Sequence, residues 1–127
     1  MKLNYDCVRD IMLTIENQLE FGDEWTINKL HTLLSDYAED ELHYTCLKLY
    51  EGGYLNAMLI STLGFASPMI ARVQDLTFKG HEFIETIRPK PIYNKAKSKI
   101  ASTVGSASLE ILSSVASSIA TKMLGIN

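Results

Sequence analysis

The chain has 127 residues, of which 46% are hydrophobic and 21% are charged, and its net charge is −3. This length suits one domain with a buried core, and the ordinary composition excludes a chain that is disordered throughout. Because there is no run of about 18 uncharged apolar residues and no apolar stretch near Met1, we expect neither a membrane span nor a secretory signal. Two cysteines without a CxxC motif indicate a reducing compartment, and we expect the protein to be cytoplasmic.

Three helices are predicted before the glycine pair Gly52–Gly53, which is typical of a helix end. Asn4 can cap the first helix, whose apolar face comprises Val8, Ile11, Met12, Ile15 and Leu19. A short second helix is predicted from about Ile27 to Leu34. Asp36 and Glu39 have the spacing of a capping box that would open the third helix. The inward residues predicted for the third helix are Leu42, Cys46, Leu49 and Tyr50.

A hairpin and a fourth helix are predicted next. The short apolar runs Tyr54–Ile60 and Met69–Leu76 favour two strands, joined by the loop Ser61–Pro68. Thr77 can cap a helix that ends near Arg88, with the following residues facing a core: Phe78, Phe83, Ile84 and Ile87. This order of elements predicts an α+β, mostly α fold with a winged helix-turn-helix module. A generic α+β domain with the same elements in another packing is the alternative.

The net charge changes sign along the chain. Residues 1–87 carry six basic and fourteen acidic side chains, a net charge of −8, whereas residues 88–127 carry six basic side chains and one acidic, a net charge of +5. The change coincides with Pro89 and Pro91, which disfavour helix at the residue before each. We therefore divide the chain into a winged-helix module (1–88), a basic joint rich in Pro and Lys (89–99) and an amphipathic association helix (100–127).

The C-terminal segment predicts one long helix. Its apolar residues recur every eleven positions, as at Val104, Val115 and Ile126, so they form a nearly straight stripe. A module of this size cannot cover so long a stripe, and we expect the helix to pair with its own copy in a coiled-coil-like contact. The expected oligomer interface is Val104, Ser108, Ile111, Leu112, Val115, Ile119 and Met123. An interfacial membrane helix and a tail folded back on the module are the alternatives.

Two charged clusters are candidate partner surfaces. In a DNA-binding protein that recognises bases, the third helix would face the DNA. Acidic residues lie at the start of its outer face, however, and they would repel phosphates. We expect this face to meet a protein partner through Glu39, Asp40, Glu41, His43 and Tyr44. Basic side chains of the joint could contact nucleic acid, another anion or a membrane surface, or belong to a solvated linker: Arg88, Lys90, Lys95, Lys97 and Lys99.

No catalytic signature or metal-ligand set is visible in the sequence. His43 and Cys46 are three residues apart, which makes at most half of a zinc site, and Cys46 also fits the inward face of its helix. We expect a buried cysteine there, no metal, no cofactor, no small-molecule ligand and no enzymatic activity.

Three stretches of the sequence carry a family resemblance: Met1–Ile11, Glu41–Leu55 and Leu76–Arg88. They resemble the domain of unknown function 2513 family of small bacterial and prophage proteins. The resemblance covers essentially the whole chain and implies a winged-helix fold, a cytoplasmic setting and frequent carriage on mobile elements. It implies no activity and transfers no catalytic residue.

The sequence therefore predicts a non-enzymatic interaction protein that oligomerises through its C-terminal helix and binds a protein partner. The alternative is a DNA-binding transcriptional regulator of a phage or mobile element. Such a regulator would be dimeric through its tail and would contact phosphates with the basic residues between Arg88 and Lys99.

Overall fold

A computed structural model describes residues 1–61, 63–64, 66 and 68–126 of the chain. Its elements, in chain order, are α1 (Tyr5–Gln18), α2 (Ile27–Leu33), α3 (Glu39–Glu51), β1 (Leu55–Ile60), β2 (Met69–Leu76), α4 (Phe78–Ile87), α5 (Lys90–Thr103) and α6 (Leu109–Met123). The predicted α+β, mostly helical class is confirmed. By their internal contacts the residues form two compact units, Met1–His81 and Glu82–Asn127, which we call unit 1 and unit 2.

The first helix forms as its sequence predicts. The Asn4 side chain accepts a hydrogen bond from the Asp6 backbone N–H at 2.9 Å, which caps the helix. The predicted apolar face is buried, except that Leu19 is half-buried because it is the C-terminal cap. The buried residues are Cys7, Val8, Ile11, Met12 and Ile15.

The predicted capping box at Asp36 and Glu39 is wrong. The third helix begins at Glu39, and its N-cap, Ala38, makes no side-chain cap bond. The chain first turns after α2, where the Tyr37 N–H donates to the Leu34 carbonyl at 3.2 Å. The Tyr37 hydroxyl then donates to Asp10 Oδ2 at 2.6 Å, which holds Tyr37 outside the helix. The predicted end of the helix at Gly52 is confirmed.

The inward face of α3 differs from the prediction at one position. Leu42, Cys46 and Leu49 are buried, but Tyr50 is 37% exposed and Thr45 is buried instead. The Thr45 hydroxyl donates to the Glu41 carbonyl at 2.7 Å and accepts from the Cys7 thiol at 3.6 Å. A threonine can be buried here because its polar atom is satisfied within the helix.

The predicted hairpin is confirmed. The strands β1 and β2 are antiparallel, in a register that runs from Leu55 opposite Leu76 to Ile60 opposite Met69, with two irregularities in between. On β2, Val73 also exchanges two backbone hydrogen bonds with Trp25, at 2.9 and 2.7 Å. The predicted loop Ser61–Pro68 is covered in part, since residues 62, 65 and 67 lie outside the described residues.

Hydrogen bonds join the first turn of α4 to the glycine pair that precedes β1. The Thr77 hydroxyl accepts from the Gly80 N–H at 3.0 Å, as predicted for a cap, and donates to the Gly53 carbonyl at 2.5 Å. The Lys79 ammonium donates to the Gly52 carbonyl at 3.1 Å and lies 4.6 Å from the centre of the Tyr54 ring.

One predicted core residue of α4 is on the wrong face. Phe78 is 80% exposed, whereas Phe83, Ile84 and Ile87 are buried. At about 100° per residue, Phe78 points some 180° away from Ile87, so the two cannot share a face. The prediction failed because it used apolar character without following the helical phase.

Two predictions for the C-terminal segment are corrected. Pro91 does not exclude helix at the residue before it, because α5 begins at Lys90 with Pro91 in its first turn. Proline is tolerated there because the first N–H groups of a helix have no intrahelical acceptor. The single long helix is also absent, because α5 ends at Thr103 and α6 begins at Leu109.

Glycine and serine separate these two helices. Gly105 has φ +85° and donates its N–H to the Ile100 carbonyl at 3.0 Å, which ends α5. The Ser108 hydroxyl accepts from the Ile111 N–H at 3.2 Å and caps α6. The helices pack on one another as a helical hairpin, burying Tyr93, Ala96, Ile100, Leu112 and Ala116.

Candidate interaction surfaces

The acidic start of α3 is a surface cluster. Glu39 and Asp40 are exposed, and Glu41 is half-buried and accepts a long hydrogen bond from the Asn4 amide at 3.5 Å. Tyr44 is half-buried, with the Lys48 ammonium 5.5 Å from its ring centre. Acidic residues in the first turn stabilise the helix dipole, and they also leave a negative surface that is open to a partner.

His43, which was grouped with this cluster, has a partner inside unit 1. Its ring Nε2 accepts a hydrogen bond from the Ile70 backbone N–H at 2.9 Å. Burial lowers the pKa of His43, while Asp40 and Glu39 act in the opposite direction. The side chain therefore joins α3 to β2, and its ring is only partly available to a binding partner.

The residues predicted for the oligomer interface are distributed unevenly. Leu112 is fully buried, Val104 is the exposed C-cap of α5, and Ser108 is the N-cap of α6. The remaining four follow one another at i+4 spacing along α6: Ile111, Val115, Ile119 and Met123. We call these four residues the α6 ridge.

The α6 ridge is apolar and partly accessible. Ile111 and Met123 at its two ends are 50% and 59% exposed, and Val115 and Ile119 are half-buried. Residues four apart form a continuous row on a helix surface, and such rows pack into the grooves of another helix. The ridge is therefore the part of the predicted interface that can still accept a partner.

Four of the five basic residues predicted for the joint lie on α5, and this helix contains no acidic side chain. Lys90, Lys95 and Lys99 are exposed, and their ammonium groups make no ion pair with the part of the chain that the structure describes. The Lys97 ammonium instead lies 5.2 Å from the Tyr93 ring centre, and Arg88 pairs with Glu85. Three of the five predicted cations thus remain available on one helix.

The thiols are placed for packing and not for reaction. Cys7 and Cys46 are both free and buried. Burial raises the pKa of Cys7 to about 11, against a smaller lowering by the Thr45 hydroxyl, and burial also strongly raises the pKa of Cys46. Thiolate is the reactive form, so these side chains are protected at neutral pH.

The described residues contain no group of three or more His, Cys, Asp or Glu side chains placed to hold a metal ion. They also contain no helix that has both the length and the apolar character needed to cross a membrane. Every buried side-chain nitrogen or oxygen among them has a hydrogen-bond partner.

Sequence reasoning missed the exposed apolar residues of β1. Met58 and Ile60 are exposed on β1, which pairs with β2 along one edge and has no strand along its other edge among the described residues. Their alternate spacing within the run Tyr54–Ile60 is a signal for one face of a strand, but it does not tell which face is covered.

A family match covers all of unit 1 except Met1, and it also covers α5. The family model described as "Hypothetical protein (DUF2513)" matches residues 2–107. The chain belongs to this family. A Haemophilus influenzae (strain Rd) protein described as "Uncharacterized protein" is similar to it, with 32% identity over 124 residues that cover 98% of this chain and 99% of that protein. No solved structure matches the chain.

Membership of the DUF2513 family confirms the resemblance noted in the sequence. The matched range ends just before α6, so the α6 ridge lies outside it. The Haemophilus influenzae protein is aligned over nearly the full chain, which includes most or all of α6.

Proposed function

We propose that this protein acts by binding and not by catalysis, as an oligomer formed through α6 whose acidic unit 1 engages a protein partner. The observation that carries the proposal is the α6 ridge, an apolar row that remains partly exposed on a packed helical hairpin. An exposed apolar row of this kind gains stability when a second helix covers it.

A second copy of the chain is the occupant that α6 itself favours. The only charged side chains of this helix are Glu110 in its first turn and Lys122 in its last. Two antiparallel copies would bring the positive end of each helix near the negative end of the other, whereas parallel copies would bring like charges together. In the antiparallel arrangement Ile111 faces Met123 of the other copy, and Val115 faces Ile119.

We also propose that residues 1–88 form a winged-helix module. Three helices precede the hairpin and α4 follows it, which is the order expected for this fold. The Trp25–Val73 bridge supports the proposal, because it adds a short extended segment from the α1–α2 connection to the hairpin. The acidic start of α3 then lies on the helix that would face DNA in a base-reading protein, which favours a protein partner.

Light scattering of the full chain tests the self-association. We expect an oligomer for the natural sequence and a monomer for the double variant I111K/M123K, since charged side chains cannot be buried unpaired between two helices. Both substituted residues are at least half exposed, so the fold of unit 2 should persist, which circular dichroism would verify. The matched control S114K/S117K adds the same charge at exposed positions outside the ridge and should stay oligomeric. A monomeric natural chain, or equal behaviour of the two variants, would contradict the proposal.

Binding to nucleic acid is a second candidate, favoured by three exposed lysines of α5: Lys90, Lys95 and Lys99. Polar side chains without negative charge lie between them, and such a face can contact phosphates. The dimer proposed above would then present two of these faces, as in a DNA-binding regulator.

A salt titration with random duplex DNA tests this candidate. If α5 contacts phosphates, the double variant K95Q/K99Q should bind more weakly and lower the salt slope by about one for each lysine lost. The control K2Q/K29Q removes two exposed lysines of unit 1 and should leave the slope unchanged. Absence of binding at low salt would exclude the candidate, and binding to anionic vesicles alone would assign α5 to a membrane surface instead.

A further inference from the structure

Besides its pairing with β1, the strand β2 is joined to the rest of unit 1 by the Trp25 and His43 contacts and by the Gln74 amide, which donates to Glu24 Oε2 at 2.9 Å. Trp25 pairs with Val73, backbone to backbone. Three residues earlier, the Ile70 N–H donates to a side chain, the imidazole Nε2 of His43, at 2.9 Å. The first contact contains no titratable group, whereas the second depends on the protonation state of a histidine.

We propose that His43 is a pH-sensitive switch between α3 and the hairpin, closed when the imidazole is neutral and opened by a proton on Nε2. In the closed state Nε2 presents its lone pair to the Ile70 N–H, so the ring hydrogen is on Nδ1. A proton taken from water occupies that lone pair and converts Nε2 from an acceptor into a donor. Two N–H groups then face one another, and the Ile70 N–H must find another acceptor.

The direction of the pH dependence follows from the surroundings of the ring. Burial lowers the pKa of His43, so the closed state binds this proton less readily than an open state in which the ring is in water. The hydrogen bond between His43 and Ile70 therefore persists above the ordinary pKa of histidine, about 6.5. It is lost progressively as the pH falls below that value.

The charged neighbours of His43 determine how far its pKa is lowered. Asp40 and Glu39, on the same helix, act against burial and favour the proton. On the facing strand Met69, Ile70 and Ala71 carry no titratable group.

The other elements that pack on α3 also carry charged groups, but the charges that act on the pKa of His43 are those of Asp40 and Glu39. The strand β1 has no titratable side chain, and on β2 the Asp75 carboxylate accepts from the Leu76 N–H at 2.7 Å. Arg72 is exposed and donates to the Ala71 carbonyl. The helix α1 contacts α3 through the Cys7 thiol and carries Asp6, Arg9, Asp10 and Glu16, and α2 carries Lys29 and His31.

The consequence of opening is local. The Trp25–Val73 bridge remains, so the proton frees the end of the hairpin that contains Ile70 while the other end stays attached. The angle between the hairpin and α3, two surfaces through which a winged-helix module would meet a partner, would then change with pH. The switch itself rests only on the hydrogen bond and does not depend on the proposed function.

Nuclear magnetic resonance of the full chain between pH 7.5 and 5 tests the switch. We expect the ring nitrogens to report an unprotonated Nε2 at pH 7.5. The protection of the Ile70 amide against hydrogen exchange, corrected for the intrinsic rate, should fall about tenfold as His43 titrates, as expected for loss of one hydrogen bond. The Ile11 amide in α1 should keep its protection over the same range.

Two variants separate the switch from other titrations. In H43Q the amide oxygen can accept from Ile70 without titrating, so protection of this amide should become independent of pH. The control H31Q removes the histidine of α2 and should behave as the natural chain. Constant Ile70 protection while His43 titrates, an equal loss in H43Q, or an equal loss at Ile11 would overturn the proposal. If H43Q does not fold, the coincidence of the ring titration with Ile70 exchange in the natural chain decides.

Discussion

Gly80 brings α4 against the backbone of Tyr54. A Cβ atom placed on Gly80 would lie 2.1 Å from the Tyr54 carbonyl oxygen and 3.3 Å from the Leu76 side chain. The same carbonyl accepts the Thr77 N–H at 3.1 Å, so it cannot move without loss of a second contact. The Leu-Thr-x-x-Gly pattern at 76–80 thus has a structural explanation: threonine caps the helix and glycine permits the close approach.

Substitution of Gly80 by alanine should destabilise unit 1. From helix propensity alone the change would add up to about 1 kcal/mol of stability. The clash with backbone should outweigh this gain, and we expect a net loss of about 1–3 kcal/mol in the free energy of unfolding. Urea unfolding followed by circular dichroism measures it. The control S114A, at an exposed position in α6, should change stability by no more than a few tenths of a kcal/mol. A more stable G80A variant would show that α4 has room for a Cβ atom beside the Tyr54 carbonyl.

At the scale of elements, the break between α5 and α6 changes what the C-terminal segment can do. An unbroken helix would expose its whole apolar stripe, whereas the hairpin buries Ile100, Leu112 and Ala116 and leaves the α6 ridge. Gly105 permits this break, because its positive φ is unfavourable for residues with a Cβ atom.

The variant G105A tests the importance of the break. No atom lies within 4 Å of the added Cβ, so the cost is conformational and not steric. We expect a loss of about 1 kcal/mol in the stability of unit 2, and a smaller loss for G105N because asparagine tolerates this backbone region better. Thermal unfolding of both variants provides the measurement. Equal stability of G105A and the natural chain would contradict the conformational cost that we assign to the positive φ at this position.

Element prediction succeeded where the relevant forces are local. The apolar period of α1, the caps Asn4 and Thr77 and the stop at Gly52 each depend on a few adjacent residues. It failed at Asp36, where a hydrogen bond from Tyr37 to Asp10, 27 residues away, determines where α3 can begin. It also failed at Pro91, whose effect depends on its position within the helix.

At the scale of the whole molecule, charge is separated between the two compact units. Unit 1 carries twelve acidic and six basic side chains, a net charge of −6, and unit 2 carries three acidic and six basic, a net charge of +3. This separation persists although the unit boundary, after His81, comes earlier than the change of composition at Arg88. The acidic charge of unit 1 would repel phosphates, which is consistent with the proposed protein partner, whereas the basic helix α5 is the part to which the proposed phosphate contact is assigned.

The sequence by itself determined the family, the α+β class, the elements up to the hairpin and the asymmetry of charge, because these follow from composition and short-range periodicity. The sequence also indicated that the candidate surfaces lie on α3, α5 and α6, but it did not indicate which of their side chains are exposed. Only the tertiary structure decided that His43 is bonded to Ile70, that Leu112 is buried and that the α6 ridge is left accessible. These outcomes depend on contacts between residues that are far apart in the chain. The periodicity of a single segment carries no information about such contacts.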